Sequence, residues 1–136
     1  MAAEQRRALY LDASAIVKLV VREDETDALT RSLGDAPLVT SEISEVEVPR
    51  AAYLRTGSDE SVRHADAVLA RFHLVPLDEE VRRDAARARP ADLRSLDAIH
   101  MASCLRLARH LEAAVAYDRR LADALRARRV TVLAPA

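Results

Sequence analysis

Four acidic residues, Asp12, Glu47, Asp97 and Asp118, each follow or interrupt an apolar stretch. Asp12 follows Ala-Leu-Tyr-Leu, Glu47 lies in Ser-Glu-Val-Glu-Val, Asp97 lies in Ser-Leu-Asp-Ala-Ile-His, and Asp118 follows Ala-Val-Ala-Tyr. An unpaired carboxylate in such surroundings costs several kcal/mol or shifts its pKa until it is neutral. If folding brings the four together, a hard divalent cation with oxygen ligands is the natural compensation, Mg²⁺ or Mn²⁺ above others. That chemistry is metal-assisted reaction at a phosphate.

The elements that must position these acids can be read from hydropathy. Short apolar runs at Ala8–Leu11, Leu38–Thr40, Leu74–Leu77, Ala113–Tyr117 and Val130–Leu133 are continuous rather than alternating, as in strands buried on both faces. Helical patterns lie between them, at Ala13–Arg22, Glu25–Leu33, Glu42–Arg55, Glu60–Phe72, Asp78–Ala88, Leu96–Arg109 and Arg119–Arg128. Strands alternating with helices predict an α/β fold of three layers, with a mainly parallel five-stranded sheet flanked by about seven helices. Gly57 suits the end of one helix, Ser58 or Asp59 the cap of the next, and Ser95 the cap of the helix carrying Asp97. Pro49 falls inside the helix carrying Glu47, so a kink is expected there, or a helix start late enough to put Pro49 in the first turn.

Asp12 and Asp118 fall at the C-terminal ends of predicted parallel strands, the edge where open α/β sheets form their ligand crevice. Asp97 lies in the first turn of a helix, where the dipole favours a carboxylate. Glu47 shares a helical face with Ile43, Arg50, Ala51 and Leu54, so it is expected to look inward from a largely apolar stripe. Taken singly, each acid has a structural alternative. Asp12 and Asp118 are good helix caps, Asp97 complements a dipole, and Glu47 is spaced to pair with Arg50. The joint pattern carries the functional reading.

Ser14, two residues after Asp12, is placed to orient that acid or a water, and Arg94 to contact a phosphate. Lys18 reads as a solvated surface lysine, and the glutamates at 23, 25, 42, 45, 79 and 80 as solvated faces. No histidine pair has zinc-ligand spacing, so His64, His73, His100 and His110 read as structural or surface residues.

The chain of 136 residues is one domain, 1–136, with half its residues hydrophobic. Aromatics are few, which argues for an aliphatic core and against base stacking as the main mode of RNA binding. Net charge is −1, but acids gathered around a metal would leave the remaining surface net positive. Of the 21 lysines and arginines only Lys18 is a lysine, and arginine suits bidentate phosphate contacts, although biased genome composition explains the excess as well. Cys104 is the only cysteine and reads as a core residue. The opening Met-Ala-Ala-Glu-Gln-Arg-Arg has no signal-peptide core and no apolar run is long enough to span a membrane, so a cytoplasmic protein is expected.

The stretches Tyr-Leu-Asp-Ala-Ser-Ala-Ile-Val-Lys-Leu from Tyr10, Val-Glu-Val-Pro-Arg-Ala from Val46, Leu-Arg-Ser-Leu-Asp-Ala-Ile-His-Met-Ala from Leu93 and Tyr-Asp-Arg-Arg-Leu from Tyr117 resemble the PIN-domain ribonucleases, in particular VapC-type toxins of bacterial toxin–antitoxin pairs. The resemblance covers about Tyr10 to Pro135. It implies a PIN-like fold and a Mg²⁺- or Mn²⁺-dependent endoribonuclease of a type II toxin–antitoxin system. It also implies that the acidic quartet is Asp12, Glu47, Asp97 and Asp118, with Ser14 at the family's hydroxyl position. Asp12, Asp97 and Asp118 would be the primary ligands, with Glu47 completing the shell or positioning the attacking water. Implied partners are RNA, a VapB-like cognate antitoxin and a second copy of the chain, with a heterotetramer or larger assembly once antitoxin is bound. Two departures stand out: Ala116 where a Thr or Ser is frequent, and Pro49 where a larger aliphatic residue is usual.

Three rivals are weaker. A dehalogenase-like phosphatase needs an acid where Ser14 stands. A phosphoacceptor domain with Asp78 as acceptor needs a lysine late in the chain, and there is none. A catalytically inactive PIN-like RNA- or protein-binding module is opposed by the intact quartet.

Overall fold

The computed structural model describes residues 6–136; the first five, part of the N-terminal stretch read above as lacking a signal core, lie outside the described residues. Strand β1 (Ala8–Leu11) leads into helices α1 (Ala13–Val20) and α2 (Thr26–Leu33), then β2 (Leu38–Ser41). Helices α3 (Ser44–Thr56) and α4 (Asp59–Leu69) form a hairpin before β3 (His73–Val75). Helices α5 (Glu79–Ala86) and α6 (Ser95–Arg106) precede β4 (Leu111–Val115), α7 (Arg119–Ala127) and β5 (Val132–Leu133). No helix among the described residues is long and apolar enough to cross a membrane.

The five strands form one sheet in the order β3-β2-β1-β4-β5, and every pairing is parallel. From β1 the chain winds outward first through β2 and β3, then returns to the other side of β1 with β4. The strand order therefore reverses between β1 and β4, where Leu11 pairs with Val115. The crevice of an open α/β sheet forms beyond the strand C-termini at such a point.

Side chains of β1 alternate between two cores. Leu9 and Leu11 join Ile16, Leu29, Val48 and Phe72 on the face covered by α1 to α4. Tyr10 joins Val81, Met101, Leu121 and Leu125 on the face covered by α5 to α7. The sheet is thus buried on both sides, which explains the continuous apolar runs. Cys104 is fully buried in the second core, as expected, and burial pushes its thiol up to about 12.

Several local expectations hold and several shift. Gly57 ends α3 with φ 64°, a left-handed conformation that glycine adopts without strain, and Ser58 caps α4. Ser95 does not cap α6. Arg94 takes the cap position with extended backbone, and the Ala98 N–H already bonds the Arg94 carbonyl, so Ser95 is the first helical residue. Helix α3 begins at Ser44 and continues through Pro49, which therefore sits in its second turn rather than its first. The strand carrying Asp118 ends at Val115, leaving that acid three residues past the ladder.

Candidate functional site

Four elements deliver the four acids to one cleft. Its lining includes Asp12, Ser14, Glu47, Arg94, Asp97 and Asp118, around a volume of about 310 Å³. Asp12 comes from the end of β1, Glu47 from α3, Asp97 from the first turn of α6, and Asp118 from the start of α7. The cleft therefore opens at the β1/β4 reversal.

Asp12 and Asp118 also cap helices. Asp12 Oδ1 accepts the Ala15 N–H at 3.0 Å, and Asp118 Oδ1 accepts the Leu121 N–H at 3.1 Å. Capping and cleft-lining are compatible, because a cap uses one carboxylate oxygen and leaves lone pairs on the other. Ser14 Oγ lies 2.8 and 2.9 Å from the two Asp12 oxygens.

The electrostatics report crowding of like charge. Asp12 is 4% exposed, and burial raises its pKa above the ordinary aspartate value. His100, Ser14 and the Ala15 N–H pull it back, while Asp97 raises it further. Asp97 is raised first by burial and next by Asp118, with Glu47 adding a smaller push. A cation would relieve these interactions together.

Glu47 does not pair with Arg50. Its Oε1 accepts from His100 Nε2 at 2.7 Å, and His100 Nδ1 is 2.8 Å from the Tyr10 hydroxyl. His100 reads in the sequence as a structural or surface residue, although its spacing three residues after Asp97 places both on one helical face, the one available signal.

Lys18 is not a free surface lysine. Its ammonium bonds Glu23 at 2.5 Å and Glu25 at 3.1 Å, and it lies 4.6 Å from the Tyr117 ring centroid. Glu23 also pairs with Arg55, so these two glutamates are tied down rather than simply solvated. Arg94 borders the cleft and forms no ion pair among the described residues.

The donor set suits a hard cation: carboxylate oxygens with a hydroxyl beside them, and no thiolate. Among the described residues, no three His, Cys, Asp or Glu side chains are arranged to hold a metal directly.

Residues 9–126 match the PIN domain, and the chain belongs to the PIN-domain family. Within it the chain is similar to the VapC proteins. Ribonuclease VapC46 of Mycobacterium tuberculosis is 43% identical over 130 residues, spanning 94% of this chain and 98% of that protein. Ribonuclease VapC35 of the same species is 40% identical over 132 residues, spanning 93% and 96%. Among solved structures, the sarcin–ricin loop cleaving toxin VapC20 of M. tuberculosis superposes with a TM-score of 0.69 at 18% identity, covering 85% of this chain and 94% of that one. A toxin–antitoxin complex from Klebsiella pneumoniae gives 0.68 at 17% identity, covering 95% and 98%. These likenesses establish the expected three-layer PIN-like α/β fold.

Proposed function

We propose that this chain is a divalent-metal-dependent endoribonuclease, the toxin of a type II toxin–antitoxin pair. The observation that carries the reading is the meeting of Asp12, Glu47, Asp97 and Asp118, from four separate elements, in one cleft at the sheet's reversal point. Relatives about 40% identical over nearly the whole chain bear the name Ribonuclease VapC, which supports RNA as the substrate.

Asp12, Asp97 and Asp118 would hold the ion, Mg²⁺ or Mn²⁺, directly or through its waters. When bound, the ion supplies a water of lowered pKa and offsets charge developing on the scissile phosphate. Glu47 completes the shell or orients the attacking water. Ser14 holds Asp12 in place, and the unpaired guanidinium of Arg94 contacts a phosphate oxygen. Ala116, at the position where the resemblance leads one to expect a hydroxyl, contributes none, and the hydroxyls that line the cleft are those of Ser14 and Ser95.

The cognate antitoxin and a second copy of the chain complete the proposed partners. Solved neighbours that are toxin–antitoxin complexes support the first. Val46, Tyr53 and Leu54 are exposed on α3, beside a groove of about 450 Å³ shared with α4, an apolar surface suited to a protein partner.

The test is incubation of purified chain with cellular RNA, with Mg²⁺, with Mn²⁺ and with chelator, followed by sequencing of the new ends. Cleavage that requires the ion and is lost in Asp97→Asn is expected. RNA association without cleavage at any metal concentration would instead identify an inactive binding module.

A further inference from the structure

Glu47, like Asp97, receives no side-chain hydrogen bond from its own helix among the described residues. Pro49 has no N–H, so the Glu45 carbonyl, four residues back, lacks its helical donor in the same stretch of α3. Val48 and Ala52 pack α3 into the core while Val46, Tyr53 and Leu54 face outward, so packing fixes the helix backbone and leaves the Glu47 carboxylate to be held by other contacts. Glu47 is also repelled by Asp97. A carboxylate on a flexible side chain in that position would swing toward water unless something retained it.

What retains it comes from the opposite side of the cleft. His100 is 2% exposed on α6 and its Nε2 meets Glu47 Oε1 at 2.7 Å. An ionised carboxylate only accepts, so the ring N–H donates. Behind the ring, the Tyr10 hydroxyl closes on Nδ1 at 2.8 Å, itself 1% exposed and edge-on to the imidazole. Tyr10 belongs to β1, two residues before Asp12, and His100 belongs to α6, one turn after Asp97. Only one oxygen of Glu47 is engaged, and Oε2 makes no hydrogen bond among the described residues.

We propose that His100 is a positioning residue, which, backed by Tyr10, holds Glu47 in the cleft with one oxygen anchored and the other free for the metal or its water. The same strand and helix that place Asp12 and Asp97 thereby also set the place of Glu47. The proposal rests on the metal-dependent reading of the site. Hydrogen-bond partners behind metal-binding side chains change affinity or activity by about 10–100-fold when removed.

The test is Mn²⁺ affinity, measured by electron paramagnetic resonance on the purified chain without RNA, in a cycle with Glu47. His100→Ala is expected to weaken Mn²⁺ binding by about 10–100-fold. His100→Gln, which keeps a donor near the Nε2 position, recovers most of that loss. Tyr10→Phe, which keeps the ring and removes the hydroxyl, costs about fivefold, the worth of one hydrogen bond. In a Glu47→Gln background, His100→Gln and Tyr10→Phe change affinity little further, because their effect passes through the carboxylate. Additive losses in that background, or unaltered affinity in His100→Gln and Tyr10→Phe together with a folded, unaltered His100→Ala, overturn the positioning role alone. If His100→Ala does not fold, unchanged affinity in Tyr10→Phe overturns it. Absence of Mn²⁺ uptake by the unsubstituted chain overturns the metal-dependent function and the positioning role with it.

Discussion

The hydroxyl of Ser14 stands 2.8 and 2.9 Å from the two oxygens of Asp12, so one donor bridges both edges of a buried carboxylate. A hydrogen bond to a charged group contributes about 1.5–3 kcal/mol. It favours the ionised form of Asp12 against the burial that opposes it. Ser14→Ala is therefore expected to raise the Asp12 pKa further and to move the acidic limb of the cleavage-rate profile to higher pH. An unmoved limb would show that Ser14 does not govern this acid.

The pH dependence of stability follows from two raised acids. Asp12 and Asp97 both lie above the ordinary value of 3.8 in the fold, each chiefly through burial. The folded, metal-free chain binds these protons more tightly than the unfolded chain does. Their contribution to stability is fully present below about pH 3.8 and is lost as pH rises through the raised folded values. Metal binding favours the ionised carboxylates, so the rise in melting temperature on adding Mg²⁺ should be larger at pH 8 than at pH 5. Scanning fluorimetry at the two pH values checks this, and equal shifts would contradict it.

Asp12→Asn separates charge from capping. Asparagine caps a helix about as well as aspartate, so the Ala15 contact survives while the buried charge disappears. The metal-free variant should melt at or above the temperature of the unsubstituted chain. Its RNA cleavage should fall by at least about 100-fold, the upper end of the effect of a supporting contact. A variant that cleaves normally would remove Asp12 from the site.

Lys18 is expected to be structural. Its ammonium joins Glu23 and lies against the Tyr117 ring, with its side chain only 12% exposed. Lys18→Met keeps the stem but leaves Glu23 with less compensation. A loss of about 2–4 kcal/mol in urea denaturation is expected, from the charged hydrogen bonds to Glu23 and Glu25 and the cation–π contact. A variant as stable as the original would mean that the network is not energetically coupled.

Cys104 offers a reporter of opening. Its thiol is buried and pushed up to about 12, so the reactive thiolate is scarce at neutral pH. Maleimide labelling should be slow in the native chain and rapid in urea. Fast native labelling would indicate local opening of α6 or β4.

The strand runs, the helices between them and the placement of Asp12 at a strand end were legible because they rest on local hydropathy. Boundaries were less so. Leu77 and Tyr117 continue the apolar composition of their runs, yet β3 stops at Val75 and β4 at Val115. Each ends where its neighbour's register ends, since β3 pairs through Ser41 of β2 and β4 through Leu133 of β5. Composition does not carry that partner information.

Local sequence alone determined the α/β alternation, the acids at the helix starts after β1 and β4, and the core place of Cys104, because each depends on near neighbours along the chain. Only the tertiary structure decided that Glu47 answers to His100 rather than Arg50, that Tyr10 stands behind that histidine, and that Lys18 is enclosed by glutamates against Tyr117. The contacts within the site join residues 53 and 90 positions apart, and such pairings arise from the packing of α3 and β1 against α6. A hydrogen bond acts over about 3 Å, so no periodicity in the letters can announce it until the backbone brings its two ends together.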